Sequence, residues 1–226
     1  MTDTEDVTMS IAGNLDKVRQ TLPEGVTLVA VSKFKPDEDI LAAYGCGQRV
    51  FGESRAQEMR DKHSRLPDDI EWHFIGHLQT NKIKYIIPFV SLIHSIDSLH
   101  LLGEVDSQAA HHGRTVDCLL QVHISQEETK FGFTYDECRE ALRSLPGLHL
   151  EHVRVVGLMG MATNTDDTAV VRREFAGLKC FFDEMRPSMP EAFGVLSMGM
   201  SEDYMVAVAE GATMVRIGSM IFGQRA

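Results

Sequence analysis

The chain has few cysteines, and the four it has, Cys46, Cys118, Cys138 and Cys180, lie far apart. None forms a CxxC pair or a Cys/His ligand spacing. Neither a disulfide framework nor a zinc motif is expected, and a reduced, cytoplasmic setting is the simpler expectation. Positive charge is scarce as well: Lys and Arg number 22 against 33 Asp and Glu, a net charge of −11 with His neutral. A sequence-independent nucleic-acid binder needs a basic face to displace counterions, and docking on an anionic membrane needs one too, so both classes are disfavoured. The N-terminus, MTDTEDVTMS, lacks a basic region followed by an apolar run, so no signal peptide is expected. Apolar stretches break well before the ~18 residues of a membrane span. There is no linker-like or low-complexity tract, and no strand is followed by the GxGxxG turn of a dinucleotide-binding sheet.

What is present is an alternation of element types over 226 residues, 43% of them hydrophobic. A chain of this mass buries roughly 70% of the surface its unfolded form exposes, enough for a real core. Val7–Leu22 carries Ile11, Leu15 and Val18 on one helical face. Eight short runs then read as strands: Val26–Lys33, Arg49–Ser54, Glu71–Gly76, Ser91–Ser98, Thr115–Ile124, Val153–Met161, Phe193–Gly199 and Met214–Gly223. Amphipathic or polar helical stretches separate them. They include one that opens on a capping box at Thr134 and Glu137, a long one over Thr168–Met185, and a short one over Ser201–Glu210. The runs are apolar on both faces, as strands of a helix-covered parallel sheet must be. Eight βα units at this length predict a single (β/α)8 TIM barrel over residues 1–226, with the N-terminal helix standing in for an eighth outer helix; an open doubly wound sheet is the competing layout.

In such a barrel the chemistry sits at the C-terminal ends of the strands. Lys33 ends VTLVAVSK, where Val29, Val31 and Lys33 share one face by period two. A lysine turned into the barrel is desolvated, which favours the neutral, nucleophilic amine; a strand-end lysine reaching solvent is the plainer alternative. After the last two strands, LSMGMS and RIGS place glycine beside serine, a pattern that suits an oxyanion, and Ser201 falls where the next helix should begin. Ordinary turns with a serine cap would look the same. A lysine facing a phosphate site across the mouth suggests pyridoxal 5′-phosphate (PLP), although a sugar-phosphate aldolase or isomerase barrel would use similar parts.

Six blocks in order, AVSKFKP (Ala30–Pro36), FGES (Phe51–Ser54), WHFIGHLQTNK (Trp72–Lys82), GLMGMA (Gly157–Ala162), LSMGMSEDY (Leu196–Tyr204) and MVRIGSMIFG (Met214–Gly223), resemble the PLP homeostasis protein family across nearly the whole chain. The resemblance implies a fold-type III barrel similar to the N-terminal domain of alanine racemase. It implies that PLP is held as a Schiff base on Lys33, with Arg216 facing the pyridine nitrogen. Ser197, Met198 and Ser201, with Gly218 and Ser219, would then form the cofactor's surroundings and phosphate cradle. Ser54 stands where the family usually has Asn, near the PLP hydroxyl, and its side chain is the shorter of the two. Lys130 matches a second family lysine. An arginine can only donate, so facing the ring nitrogen it keeps that nitrogen unprotonated and makes the ring a weaker electron sink.

The expected function is therefore non-catalytic PLP buffering, with delivery to apo-enzymes. The alternatives are a stand-alone amino-acid racemase, for which the chain shows no second domain, and a PLP-free aldolase-like barrel. The resemblance leans to a monomer, with a dimer as the other option. His73, His94 and His123 read as satisfied buried imidazoles, not metal ligands. His77 and Asn81 either line the mouth or shape their loop. Met159, Met161, Met198 and Met200 read as barrel filling.

Overall fold

A computed structural model describes residues 2–127 and 131–224, with side chains of the first helix described from Ile11 onward. Eight strands close into a parallel barrel in the order of the chain: β1 Thr27–Val31, β2 Val50–Glu53, β3 Glu71–Phe74, β4 Leu92–Ile96, β5 Val116–Val122, β6 Val153–Gly160, β7 Val195–Ser197 and β8 Met214–Ile217, with β8 returning to β1. The predicted TIM barrel is the fold. Outside it run α1 Thr2–Thr21, α2 Asp37–Gly45, α3 Ala56–His63, α4 Ile83–Ile86, α5 Leu99–His111, α6 Tyr135–Ser144, α7 Thr168–Met185, α8 Tyr204–Ala209 and α9 Ser219–Phe222.

Strand alternation makes two separate cores. Val29, Leu92, Leu119, Val156, Met159 and Met214 point inward and pack on one another inside the barrel. Their neighbours Leu28, Ala30, Phe51, Trp72, Phe74 and Ile93 point outward into the larger layer beneath the helices. Each strand is thus buried on both faces, which is why the runs read as nearly continuous hydrophobics. The strands are also pressed together: a Cβ on Gly157 of β6 would lie 1.8 Å from the Val195 carbonyl oxygen of β7. Only glycine allows that approach.

Several helices follow their local signals. Ile11, Leu15 and Val18 of α1 are buried, as their spacing requires. α6 opens on the expected capping box, Thr134 and Glu137 each bonding the other's backbone N–H. α7 has the predicted bounds. The strands are shorter than the runs that predicted them, and three of the boundary differences bear on the site. β1 ends at Val31, so Lys33 leaves the strand and stands in a turn. The run Met214–Gly223 is a strand only to Ile217, and α9 completes it. α1 packs beside α9, with Asn14 Nδ2 donating to the Ile221 carbonyl at 3.1 Å, so the eighth outer position is shared. Finally, α8 begins at Tyr204, and Ser201 lies in the preceding turn.

Candidate functional site

Parallel strands bring all eight C-terminal ends to one mouth, and β1 and β8 are neighbours there, with Val29 paired to Arg216. Lys33 follows β1 in a turn closed by the Lys35 N–H donating to the Ser32 carbonyl at 3.0 Å. Lys33 occupies the second position and is half-buried; Phe34 occupies the third with φ 63°. A turn with positive φ at its third position suits glycine, and a bulky residue there is strained. The surroundings hold it in place. Lys62 of α3, 4% exposed, spends all three ammonium protons on the Ser32 carbonyl, Glu53 Oε1 and Glu58 Oε1, each at 2.8 Å. Glu58 Oε1 also accepts the Phe34 N–H at 2.6 Å, and Glu53 Oε1 accepts the Ser32 hydroxyl at 2.7 Å. The Arg55 guanidinium lies over the Phe34 ring, 4.4 Å from its centroid. Burial pushes the Glu53 carboxyl above the usual range, against the pull of Lys62.

Arg216 is 4% exposed. Nη1 donates to Ser197 Oγ at 2.6 Å and Nη2 to the Gly160 carbonyl at 3.2 Å. Ser197 Oγ lies 3.1 Å from His94 Nδ1, and His94 Nε2 lies 3.1 Å from His73 Nδ1. Burial lowers the Arg216 pKa to about 10, opposed by Asp203, so it remains a cation at neutral pH. Burial holds both imidazoles neutral, His73 down to about 3 and His94 well below its ordinary value. Among the described residues no carboxylate lies within ion-pair distance of Arg216, so the pairing that would make it a merely structural arginine is not formed. Among the described residues, two of its five N–H donors meet protein acceptors.

Beside it, the turn after β7 is shaped by the Met200 N–H donating to Asp203 Oδ1 at 2.6 Å. Gly199 has φ 93°, and a Cβ there would meet the Ala207 methyl at 2.6 Å. Ser201 Oγ accepts the Gly218 N–H at 3.2 Å, tying this turn to the one after β8. Ser219 is exposed at the start of α9. Lys33, Arg216, Ser201, Gly218 and Ser219 thus converge on one side of the mouth. Ser197 lies beneath Arg216. Met198 does not join them: its side chain is fully buried in the outer layer and its N–H is bonded to the Met214 carbonyl at 3.1 Å. Nor is Met200 barrel filling, since it is 41% exposed.

Ser54 is half-buried after β2 and borders a cleft of about 560 Å³, lined also by Arg55, Lys62, His77 and Lys82. His77 pairs with Asp97 Oδ2 at 3.3 Å and stacks on Phe131, so it shapes the loops on that side. At the end of β5, His123 Nε2 and Ser125 Oγ are buried with no hydrogen-bond partner among the described residues. His123 is therefore not the satisfied core histidine expected. Lys130 lies outside the described residues.

The groups missed in the sequence are Lys62 and Glu58; Glu53 falls at an expected strand end, in the FGES block. A signal existed: Ala56, Met59 and Lys62 recur at period three on a helix whose first two are buried, which puts Lys62 on the inward face.

The alanine racemase N-terminal domain family matches residues 8–226. A protein of Aquifex aeolicus named pyridoxal phosphate homeostasis protein is 42% identical over 199 residues, 88% of this chain and 86% of its own length. One of Schizosaccharomyces pombe with the same name is 36% identical over 222 residues, 93% of this chain and 91% of its own. Among solved structures, PipY of Synechococcus elongatus with PLP bound superposes with a TM-score of 0.84 at 37% identity, covering 94% of this chain and all of that one. An alanine racemase of Clostridium difficile shares the fold, with a TM-score of 0.77 at 15% identity over 96% of this chain and 56% of that one.

Proposed function

The chain belongs to the alanine racemase N-terminal domain family and to the pyridoxal phosphate homeostasis proteins, and from that premise we propose that it binds PLP covalently and reversibly, as a carrier rather than a racemase. Lys33 is the amine that would hold the cofactor: its Nζ, in the unprotonated form, would condense with the aldehyde, forming C=N and releasing water, and hydrolysis would reverse the step. The observation that carries this reading is Arg216. A buried guanidinium without a carboxylate, on the strand next to Lys33, has donors in reserve for an acceptor from outside the protein. The aromatic nitrogen of a pyridine fits that role.

The residues present fit the rest of the group. Hydroxyl donors at Ser201 and Ser219, on turns tied together by the Gly218 N–H to Ser201 Oγ bond, suit a phosphate. Ser54, and the His123 and Ser125 atoms that have no partner among the described residues, are polar groups at the same mouth for the ring substituents. Met198 is left out of the binding set, and Ser197 acts by holding Arg216. When bound, PLP supplies an electron-sink ring. An arginine that donates to the ring nitrogen and cannot deliver a proton to it weakens that sink, which suits storage better than carbanion chemistry. In this reading residues 1–226 act as one cofactor-binding domain, and apo-enzymes that need PLP receive it.

The test is the absorption spectrum of the PLP-loaded protein before and after borohydride, with mass mapping of the reduced lysine. The label is expected on Lys33 and absent in Lys33→Ala. Transfer to an apo-enzyme, and the lack of turnover with L- and D-alanine or serine, separate the carrier from the racemase; robust racemisation would overturn it.

A further inference from the structure

We propose that Glu58 and Lys62 are positioning residues for Lys33, holding the turn that presents its amine; this rests on the reading that Lys33 bonds PLP. Both backbone groups that flank Lys33 are anchored by α3 side chains. The Ser32 carbonyl before it accepts a hydrogen bond from Lys62 Nζ at 2.8 Å, and the Phe34 N–H after it donates to Glu58 Oε1 at 2.6 Å. The two anchors are joined to each other, since Lys62 Nζ also donates to Glu58 Oε1 at 2.8 Å.

The anchoring counters a specific cost. Phe34 sits at φ 63°, a conformation that side-chain-bearing residues avoid. Strained residues of this kind persist only where the surroundings over-determine them. Here Glu58 bonds the strained residue's N–H, and Arg55 at the head of α3 covers its ring. The centre of the clamp is built for rigidity. Lys62 and Glu53 are 4% and 0% exposed, and a buried ion pair with every ammonium proton assigned has one geometry. α3 therefore fixes a turn it does not belong to. Its amphipathic face carries a charge inward for that purpose, where packing alone would take a leucine.

Such a clamp acts on the amine and not on the rest of the pocket. Removing it should weaken a ligand that must bond Lys33 and spare one that cannot. The comparison is PLP against pyridoxine 5′-phosphate, which carries a hydroxymethyl group in place of the aldehyde. Glu58, at a half-buried α3 position, is the first target. Glu58→Ala is expected to bind PLP about tenfold more weakly, the scale of one charge-assisted hydrogen bond, with pyridoxine 5′-phosphate affinity unchanged. Glu58→Gln keeps an acceptor for the Phe34 N–H and should stay within about threefold of the parent for both ligands. Lys62→Met, which removes the α3 anchor from the Ser32 carbonyl and leaves it only the Lys35 N–H, is the second variant and should show the same selective loss.

Equal weakening of both ligands means general damage to the pocket and overturns the proposal, as does unchanged PLP affinity in both variants. Lys33→Ala is run beside them. If it leaves PLP affinity at the parent value, the covalent reading itself has failed, which is distinct from failure of the clamp.

Discussion

The buried histidine pair should make the fold acid-sensitive in a defined window. The four groups form one consistent relay if Arg216 donates to Ser197 Oγ, Ser197 donates to His94 Nδ1, and His94 Nε2–H donates to His73 Nδ1. Protonating either imidazole sets two N–H groups against each other or drives a proton into Ser197, beside a buried guanidinium. Burial accordingly lowers His73 to about 3, against about 6.5 in an unfolded chain. The folded pKa is the lower one, so below about pH 6.5 the unfolded state binds the extra proton. The stability contribution is complete above the unfolded pKa and is lost as pH falls toward the folded one. Between pH 7 and pH 5, His73 alone removes about 2 kcal/mol, and His94 adds a loss of the same sign. For a chain of this size 2 kcal/mol is roughly 4–8 °C in melting temperature. Urea unfolding of the unliganded protein at pH 7 and pH 5 measures it, and His73→Gln should be less pH-sensitive than the parent by about 2 kcal/mol. If the parent's stability changes no more between the two pH values than that of His73→Gln, the assignment of neutral buried imidazoles is wrong.

Arg216→Met should separate stability from binding. It removes a buried cation that lacks a carboxylate, so the unliganded protein should gain about 1–3 kcal/mol in chemical denaturation while PLP binding falls by tenfold or more. A destabilised unliganded variant would show that the bonds to Ser197 and Gly160 outweigh the burial cost. Phe34→Gly should be more stable than Phe34→Ala by about 1 kcal/mol, because both lose the ring and only glycine is at ease at φ 63°. Paired thermal melts read this, and equal midpoints would mean the turn is not strained.

How the parts of the site differ in legibility follows from distance along the chain. Lys33, Arg216, Ser201 and Gly218 stand at strand ends in short runs, so counting eight strands was enough to bring them to one mouth. Met198 shows the limit of that reasoning. It lies next to Ser197 in the chain, yet one step along the backbone reverses the face, and its side chain belongs to the outer layer. The end of β1 could not be read from VTLVAVSK, because every residue of that run tolerates a strand. What ends it is a turn held by Lys62 and Glu58, whose partners Ser32 and Phe34 lie more than twenty residues away. Likewise the buried imidazoles of His73 and His94 were foreseeable one at a time. Their connection through Ser197 to Arg216 joins β3, β4, β7 and β8.

The sequence by itself determined the barrel: local periodicity fixes strand and helix type, and eight alternating units of this length close on themselves. It also determined the capping of α6 and the extent of α7, which rest on neighbouring residues alone. The tertiary structure decided which polar groups are buried, where β1 stops, and which donors Arg216 has left to offer. Those outcomes depend on contacts between segments far apart in the chain, and no local pattern carries the energy of a partner that arrives only when the barrel closes.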